Sequence, residues 1–315
     1  MSRTAQVAIG PDAAREWLAP AVAAGGGEVV DLPDADALLW AAPDDPEGLA
    51  RALEEHGDHL PWVQLPWAGI EPYLDVLGAG GGAEERIWTC GKGVYAEPVA
   101  ELALALALGC LRGLDRYARA TRWRQDGELG TNLRGAKVGV LGAGGITEVL
   151  LRLLSPWGCE VTVARHRVAP VPGATRVLGS SPAEIDEAVA GADLVVLALA
   201  LTAETTGIVD ARRLELLHEG SVLVNVARGA HVVTDDLVAV LREQRILAAG
   251  LDVTDPEPLP EGHPLWSLPN CIVTPHVGNT TRMAIPLLAR RITANVARRI
   301  AGEELLGRVE PRLGY

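Results

Sequence analysis

The sequence predicts an α/β fold built on doubly wound parallel sheets, and three observations carry that prediction. From Val138 onward, short β-rich runs alternate with segments of helical length. Each run is nearly continuous in apolar residues rather than alternating, as expected where helices cover both faces of a sheet. The chain has 315 residues, 48% of them hydrophobic and 22% charged, enough for real cores in about two domains.

The first ninety residues carry the rhythm weakly, with strands predicted at Gln6–Ile9, Ala37–Trp40 and Trp62–Leu65 between Gly/Pro-rich loops. Gly25–Gly27 and Gly80–Gly82 read as flexible turns, because neither is followed by the Lys-Ser/Thr pair of a phosphate loop. Over Pro98–Ala120, Leu102, Leu104, Leu106 and Leu108 alternate with Ala. Length, Ala/Leu content and Pro98 in the first turn nevertheless predict a helix. Being apolar all round, it is expected to be buried on every side, running under the sheet and into a subunit interface. Six strands follow, at Val138–Leu141, Val161–Ala164, Leu194–Leu201, Val222–Val226, Ala248–Val253 and Cys271–Thr274. Helices are predicted at Thr147–Leu154, Ala183–Val189 and Asp235–Arg242. A last helix, Pro286–Ile300, sets Arg290, Arg291, Arg298 and Arg299 on a solvated face.

Composition excludes several classes of function. The formal charge is −13, opposite to what broad nucleic-acid binding requires. The longest apolar stretch, Leu102–Leu111, is about half of what crosses a bilayer, so no membrane span is expected. The N-terminus lacks the features of a signal peptide. Cys90, Cys110, Cys159 and Cys271 are isolated, without metal-ligand spacing, and read as small buried hydrophobes of a reducing, cytoplasmic compartment.

The strand Val138–Leu141 runs into Gly142-Ala143-Gly144-Gly145-Ile146-Thr147 and then a helix. Gly142 suits the tight turn, and Gly144 lets backbone approach a pyrophosphate at the helix N-terminus. Thr147 stands where the third fingerprint glycine belongs, which points to looser helix-to-strand packing and lower cofactor affinity. Nucleotide binding is the favoured reading, against a plain βα turn. The next strand ends in Arg165-His166-Arg167, without the carboxylate that holds the ribose 2′-hydroxyl in NAD sites. Guanidinium groups bind a 2′-phosphate through charge-assisted bonds. NADP(H) is therefore preferred, with Arg165 the first contact and Arg167 the second; NAD(H) stays possible, and the alternative is a solvated basic turn.

Three later strands end in polar residues: Arg228 after the fourth, Asp252 and Glu257 after the fifth, His276 after the sixth. Ligands of open α/β sheets bind outside the carboxyl ends of the strands, so these residues are expected to converge. Singly, each has a structural explanation. Together they supply what reduction of a 2-oxo acid needs. Arg228 binds the carboxylate and polarises the carbonyl, and His276 gives a proton as hydride reaches C2. Glu257 favours the imidazolium and fixes its tautomer. Asp252 is better placed to orient the cofactor or support the site.

The strings Asn225-Val-Ala-Arg-Gly-Ala-His-Val-Val233, Gly250-Leu-Asp-Val253, Glu257-Pro-Leu-Pro260 with His263-Pro-Leu-Trp266, and Thr274-Pro-His-Val277 resemble the D-isomer-specific 2-hydroxyacid dehydrogenases. Trp40, Trp67-Ala68-Gly69-Ile70, Val232-Val233 before Asp235-Asp236 and the terminal Gly314-Tyr315 resemble the glyoxylate/hydroxypyruvate reductase A branch. The resemblance implies two Rossmann-like domains with the active site in the interdomain cleft. A substrate domain would take residues 1–92 and 284–315, and a cofactor domain residues 93–283. It implies Arg228, Glu257 and His276 as the catalytic set, a homodimer, and substrate carboxylate held by backbone N–H groups at Ala68, Gly69 and Ile70. Trp40 and Trp67 either wall a small pocket or belong to the core. Cofactor contacts are implied at Gly142, Ala143, Gly144, Gly145, Ile146, Arg165, His166, Arg167, Ala200, Leu201, Thr205, Val226, Ala227, Arg228, Asp252, His276 and Gly278.

This chain departs from the pattern at Thr147, at Thr254 where relatives carry Phe, and over Gly93–Glu97, which bears on substrate size. The expected activity is NADPH-preferring reduction of a small 2-oxo acid to the D-2-hydroxy acid. The alternative is a dinucleotide-sensing regulator without significant turnover, against which the intact Arg–Glu–His set argues.

Overall fold

Two parallel sheets carry the fold, one in each of two units, Met1–Tyr95 with Thr280–Tyr315 and Ala96–Asn279. A computed structural model describes residues 4–56, 60–79, 86–123 and 130–309, so Gly80–Gly82 and the terminal Gly-Tyr pair lie outside the described residues.

The first unit runs β1 (Gln6–Gly10), α1 (Arg15–Ala24), β2 (Glu28–Val29), β3 (Ala37–Trp40), α2 (Pro46–His56), β4 (Trp62–Gln64), α3 (Leu74–Ala79) and β5 (Ile87–Thr89). The strands are all parallel, in the order β2-β1-β3-β4-β5. Leu18 and Val22 of α1 cover Val7, Ile9 and Leu39, each buried apolar side chain contributing about 1.5–3 kcal/mol. Between β4 and the edge strand β5 runs a buried polar chain: Trp62 Nε1 donates to Thr89 Oγ1 at 2.8 Å, and that hydroxyl donates to Gln64 Oε1 at 2.8 Å.

The second unit runs α4 (Ala96–Leu111), α5 (Leu114–Ala118), β6 (Lys137–Leu141), α6 (Gly145–Leu154), β7 (Glu160–Ala164), β8 (Arg176–Leu178), α7 (Pro182–Val189) and β9 (Leu194–Leu197). It continues with α8 (Ala211–Leu214), β10 (Val222–Asn225), α9 (Thr234–Arg242), β11 (Ala248–Leu251), α10 (Pro264–Ser267) and β12 (Cys271–Val273). Its parallel strands are ordered β12-β11-β10-β9-β6-β7-β8, so the winding reverses between β6 and β9. Alternate strand residues feed two cores. Val138, Val140, Val222 and Val224 join α4 and α6 on one face, while Leu141, Val195, Leu197 and Leu223 join α7 and α9 on the other. That double coverage is why the strands read as continuous apolar runs.

After β12, α11 (Thr281–Ala301) belongs to the first unit and packs on α1. Asn295 in α11 donates to Gln64 Oε1 at 3.2 Å and exchanges bonds with the backbone of Leu306, completing the polar chain.

Several expectations need correction. The helix predicted over Pro98–Ala120 begins at Ala96, and Gly113 (φ 58°) separates α4 from α5. It is not buried on every side within this chain: α6, β10 and β11 cover one half, while Ala105 is exposed and Leu102, Leu104 and Leu108 are partly buried. The strand predicted to reach Leu201 ends at Leu197, where the chain turns into a loop closed by Thr202 and Thr205. The arginine face of α11 is not simply solvated. Arg290 is exposed, but Arg291 donates to the carbonyls of Cys90 (3.2 Å) and Lys92 (2.9 Å), and Arg298 to that of Glu304 at 2.9 Å. Arg299 lies 3.9 Å from Asp36.

Candidate active site

The glycine loop leaves β6 at the point where the sheet order reverses. Gly142 has φ 104°, a left-handed conformation that favours glycine, and a Cβ there would overlap the Ala198 carbonyl. Gly144 caps α6 with no side-chain partner, and open space surrounds it on the side where a Cβ would project. Gly145 and Ile146 form the first turn, whose N–H groups carry the positive end of the helix dipole. Ala143 and Ile146 brace the loop on the α4/α6 core. Thr147 corrects the expectation of looser packing. It is 0% exposed, and its hydroxyl donates to the Gly142 carbonyl at 2.9 Å, tying the helix to the turn where glycine would only have allowed close approach. The open cradle and the first-turn N–H groups, which have no backbone acceptor among the described residues, fit a dinucleotide pyrophosphate.

Beside this loop β7 ends in Arg165, half-buried, with His166 and Arg167 exposed. The Arg165 N–H donates to the Leu178 carbonyl at 3.1 Å, and His166 Nδ1 lies 3.5 Å from Ser180 Oγ. The carboxyl of Glu204, bonded by the Thr202 hydroxyl and its own backbone N–H and facing His166, is held below the usual carboxylate range. In the loop after β9, Thr205 Oγ1 donates to the Ala200 carbonyl at 2.8 Å and accepts from the Thr202 N–H at 2.8 Å, with Leu201 between them.

The remaining predicted residues sit at the carboxyl ends of three adjacent strands. Asn225 pairs with Leu251, and Leu251 with Val273. Each strand therefore ends at the same level, delivering Arg228, Asp252 and His276 to one edge. Val226 and Ala227 are buried, and Ala227 N–H donates to Asn225 Oδ1 at 3.0 Å. Asn225 Nδ2 in turn donates to the Arg228 carbonyl at 2.8 Å, shaping the turn that presents Arg228. Gly229 packs so closely on Thr254 and Asp255 that a Cβ would overlap them, which brings the Arg228 turn against the segment leading to Glu257.

His276 Nδ1 lies 2.7 Å from Glu257 Oε1, and both side chains remain about half exposed. The histidine holds φ 52°, a left-handed conformation that costs about 1–3 kcal/mol for a residue with a Cβ. Asp252, 3% exposed, secures that backbone. Its carboxylate accepts from Thr274 Oγ1 at 2.6 Å, Val277 N at 2.9 Å and Gly278 N at 2.8 Å, while its carbonyl accepts from His276 N at 2.8 Å. Asp252 thus ties residues 274–278 together. Asn225 and Thr274 escaped notice as working residues, although a polar side chain closing an otherwise apolar strand was the available signal.

In the first unit, Trp40 is buried and packs against Gly10, with its indole N–H on the Ala42 carbonyl at 3.0 Å. Trp67 is half-buried, its ring meeting that of Tyr95 edge to face at 5.3 Å. Ile70 is buried and Ala68 exposed. Among the described residues, none of the N–H groups of Ala68, Gly69 and Ile70 donates to a backbone carbonyl.

Fold and glycine loop together define the class, a dinucleotide-binding α/β protein. The family model for "D-isomer specific 2-hydroxyacid dehydrogenase, NAD binding domain" matches residues 102–278. An uncharacterized protein of the proB 3′ region in Corynebacterium melassecola is 36% identical over 302 residues, 94% of this chain and 95% of its own. Glyoxylate/hydroxypyruvate reductase A of Serratia proteamaculans is 32% identical over 324 residues, 96% of each chain. The crystal structure of a D-isomer specific 2-hydroxyacid dehydrogenase from Xanthobacter autotrophicus Py2, complexed with NADPH and MES, superposes with a TM-score of 0.80. It is 28% identical, over 99% of this chain and 100% of that one. The chain belongs to the D-isomer specific 2-hydroxyacid dehydrogenase family and is an oxidoreductase using a nicotinamide cofactor. No helix among the described residues is long and apolar enough to cross a membrane.

Proposed function

We propose that this chain reduces a small 2-oxo acid of the glyoxylate or hydroxypyruvate kind to its D-2-hydroxy acid, with NADPH preferred over NADH. The observation that carries the reading is the 2.7 Å pair of Glu257 and His276 at the strand edge that also presents Arg228. When bound, the nicotinamide supplies the hydride. Glu257 accepts from Nδ1 of the imidazole, which leaves Nε2 to hand a proton to the oxygen being reduced and to recover it in reverse. Arg228 pairs with the substrate carboxylate and draws charge onto the carbonyl oxygen. The half-exposed histidine suits this work, since it must exchange its proton with solvent after each turnover.

The same proposal gives the Ala68–Ile70 N–H groups the substrate carboxylate as partner, supported by their lack of backbone acceptors among the described residues. It gives Arg165 and Arg167 the 2′-phosphate, supported by the lack of a carboxylate among residues 165–167. A homodimer through the second unit is supported by the apolar half of α4 that this chain leaves partly open.

The test is direct. Purified protein should consume NADPH, followed by absorbance, when glyoxylate or hydroxypyruvate is added, and NADH should serve less well. Absence of turnover with a panel of 2-oxo acids would overturn the reading in favour of a dinucleotide-binding regulator.

A further inference from the structure

His231 is 0% exposed, the most deeply placed histidine of the Arg228 turn, and the chemistry above makes no use of it. Its Nδ1 lies 3.0 Å from the Thr205 carbonyl and its Nε2 3.3 Å from the Leu199 carbonyl. Both acceptors belong to one loop, and they bracket residues 200–204, which include Ala200 and Leu201. The ring therefore spans the neck of that loop. The backbone of the same residue reaches the other way, its N–H donating to the Arg228 carbonyl at 3.2 Å. Further rungs reinforce the seam: Gly207 N–H on Ala230 O at 2.8 Å and Val209 N–H on His231 O at 2.9 Å.

We infer that His231 is a positioning residue that fixes the cofactor-side loop 199–205 relative to the Arg228 turn. A neutral histidine filling an apolar core has one N–H to donate, and any nearby carbonyl satisfies it. Here both nitrogens address carbonyls at the two ends of a single loop, which sets the width of that loop rather than merely satisfying a buried group. With Nδ1 carrying a proton, the shorter contact is a hydrogen bond to Thr205; a second proton on Nε2 adds the bond to Leu199. Removing the ring nitrogens frees the neck, so Thr205 and Ala200 drift from the geometry that meets a dinucleotide.

The inference rests on assigning residues 200–205 to the cofactor, and the experiment separates the two. Four proteins are compared: the parent chain, His231→Phe, His231→Asn and His231→Gln. Phe keeps the ring and removes both nitrogens, Asn restores a donor near Nδ1, and Gln restores one near Nε2. The readouts are the Kd for NADPH without substrate, the thermal midpoint, and kcat against KM for each nicotinamide. His231→Phe should weaken NADPH binding roughly tenfold, the effect of about 1.4 kcal/mol. His231→Asn should recover most of it and His231→Gln less, following the two distances. An unchanged Kd in folded His231→Phe overturns the inference. So does a series in which Kd follows the thermal midpoint with no rescue by Asn, which describes a purely structural histidine. If Phe does not fold, the Asn and Gln ranking decides alone; failure of all three to fold also marks a structural role. An ordered NADPH series in a chain that reduces no 2-oxo acid would leave this inference standing while the proposed activity falls.

Discussion

Asp252→Asn probes how the histidine is held. The carboxylate is 3% exposed and uses both oxygens, one for Thr274 Oγ1 and Val277 N, the other for Gly278 N. An amide keeps a single acceptor. In its better orientation it preserves the first two bonds and turns an NH2 toward the Gly278 N–H, donor against donor. The loss is one hydrogen bond to a charged group, about 1.5–3 kcal/mol, with a buried N–H left unpaired as part of that cost. Taking roughly 3 kcal/mol, opening of the 274–278 loop becomes on the order of 100-fold more frequent. Native-state hydrogen exchange at the Val277 and Gly278 amides reads that change residue by residue. The same slackening releases His276 from its left-handed backbone, so kcat should fall while binding of NADPH alone changes little. Exchange rates and kcat indistinguishable from the parent would show that the loop is held by other means and refute the clamp.

The other predictions concern single contacts. His276→Ala should abolish reduction while leaving the Kd for NADPH nearly intact, as titration of the binary complex would show. Arg165→Ala should reduce the preference for NADPH over NADH, measured as a ratio of kcat/KM values; unchanged selectivity removes the argument for a phosphate contact. Thr147→Val keeps the shape of a fully buried side chain but deletes the bond to Gly142 O, with an expected loss of about 1 kcal/mol in denaturant unfolding. Burial pushes the Cys271 thiol from its ordinary value near 9 up to about 12. The unfolded chain thus ionises first, so stability is full below about pH 9 and is lost as pH rises toward 12. Unfolding free energy measured across that window should fall less steeply in Cys271→Ala.

Much of this protein was legible before any coordinates. Apolar runs such as Leu194–Leu197 and residues 222–224 announced strands covered on both faces, because burial on both sides leaves few polar positions. Gly142 and Gly144 announced their turn because few other residues tolerate its backbone and its close approach. The strands β2, β5 and β8 gave no such sign: they have two or three residues each, and their place in a sheet comes from pairing with the neighbouring strand. The break at Gly113 was hidden for a related reason, since apolar composition alone does not say where a helix turns away.

What the tertiary structure decided is pairing at a distance. Thr147 looked like a defect in a glycine motif, and only its 2.9 Å bond to Gly142 O makes it a brace. Asp252 was expected to orient the cofactor or support the site, and only the folded chain shows that three donors from residues 274–278 converge on it. Arg291 read as solvated because a helical charge pattern says nothing of carbonyls at Cys90 and Lys92, some two hundred residues earlier in the chain. Local backbone preference and hydrophobic burial are written in short stretches of sequence. Hydrogen-bond partners are chosen by where the folded chain returns, which no short stretch encodes.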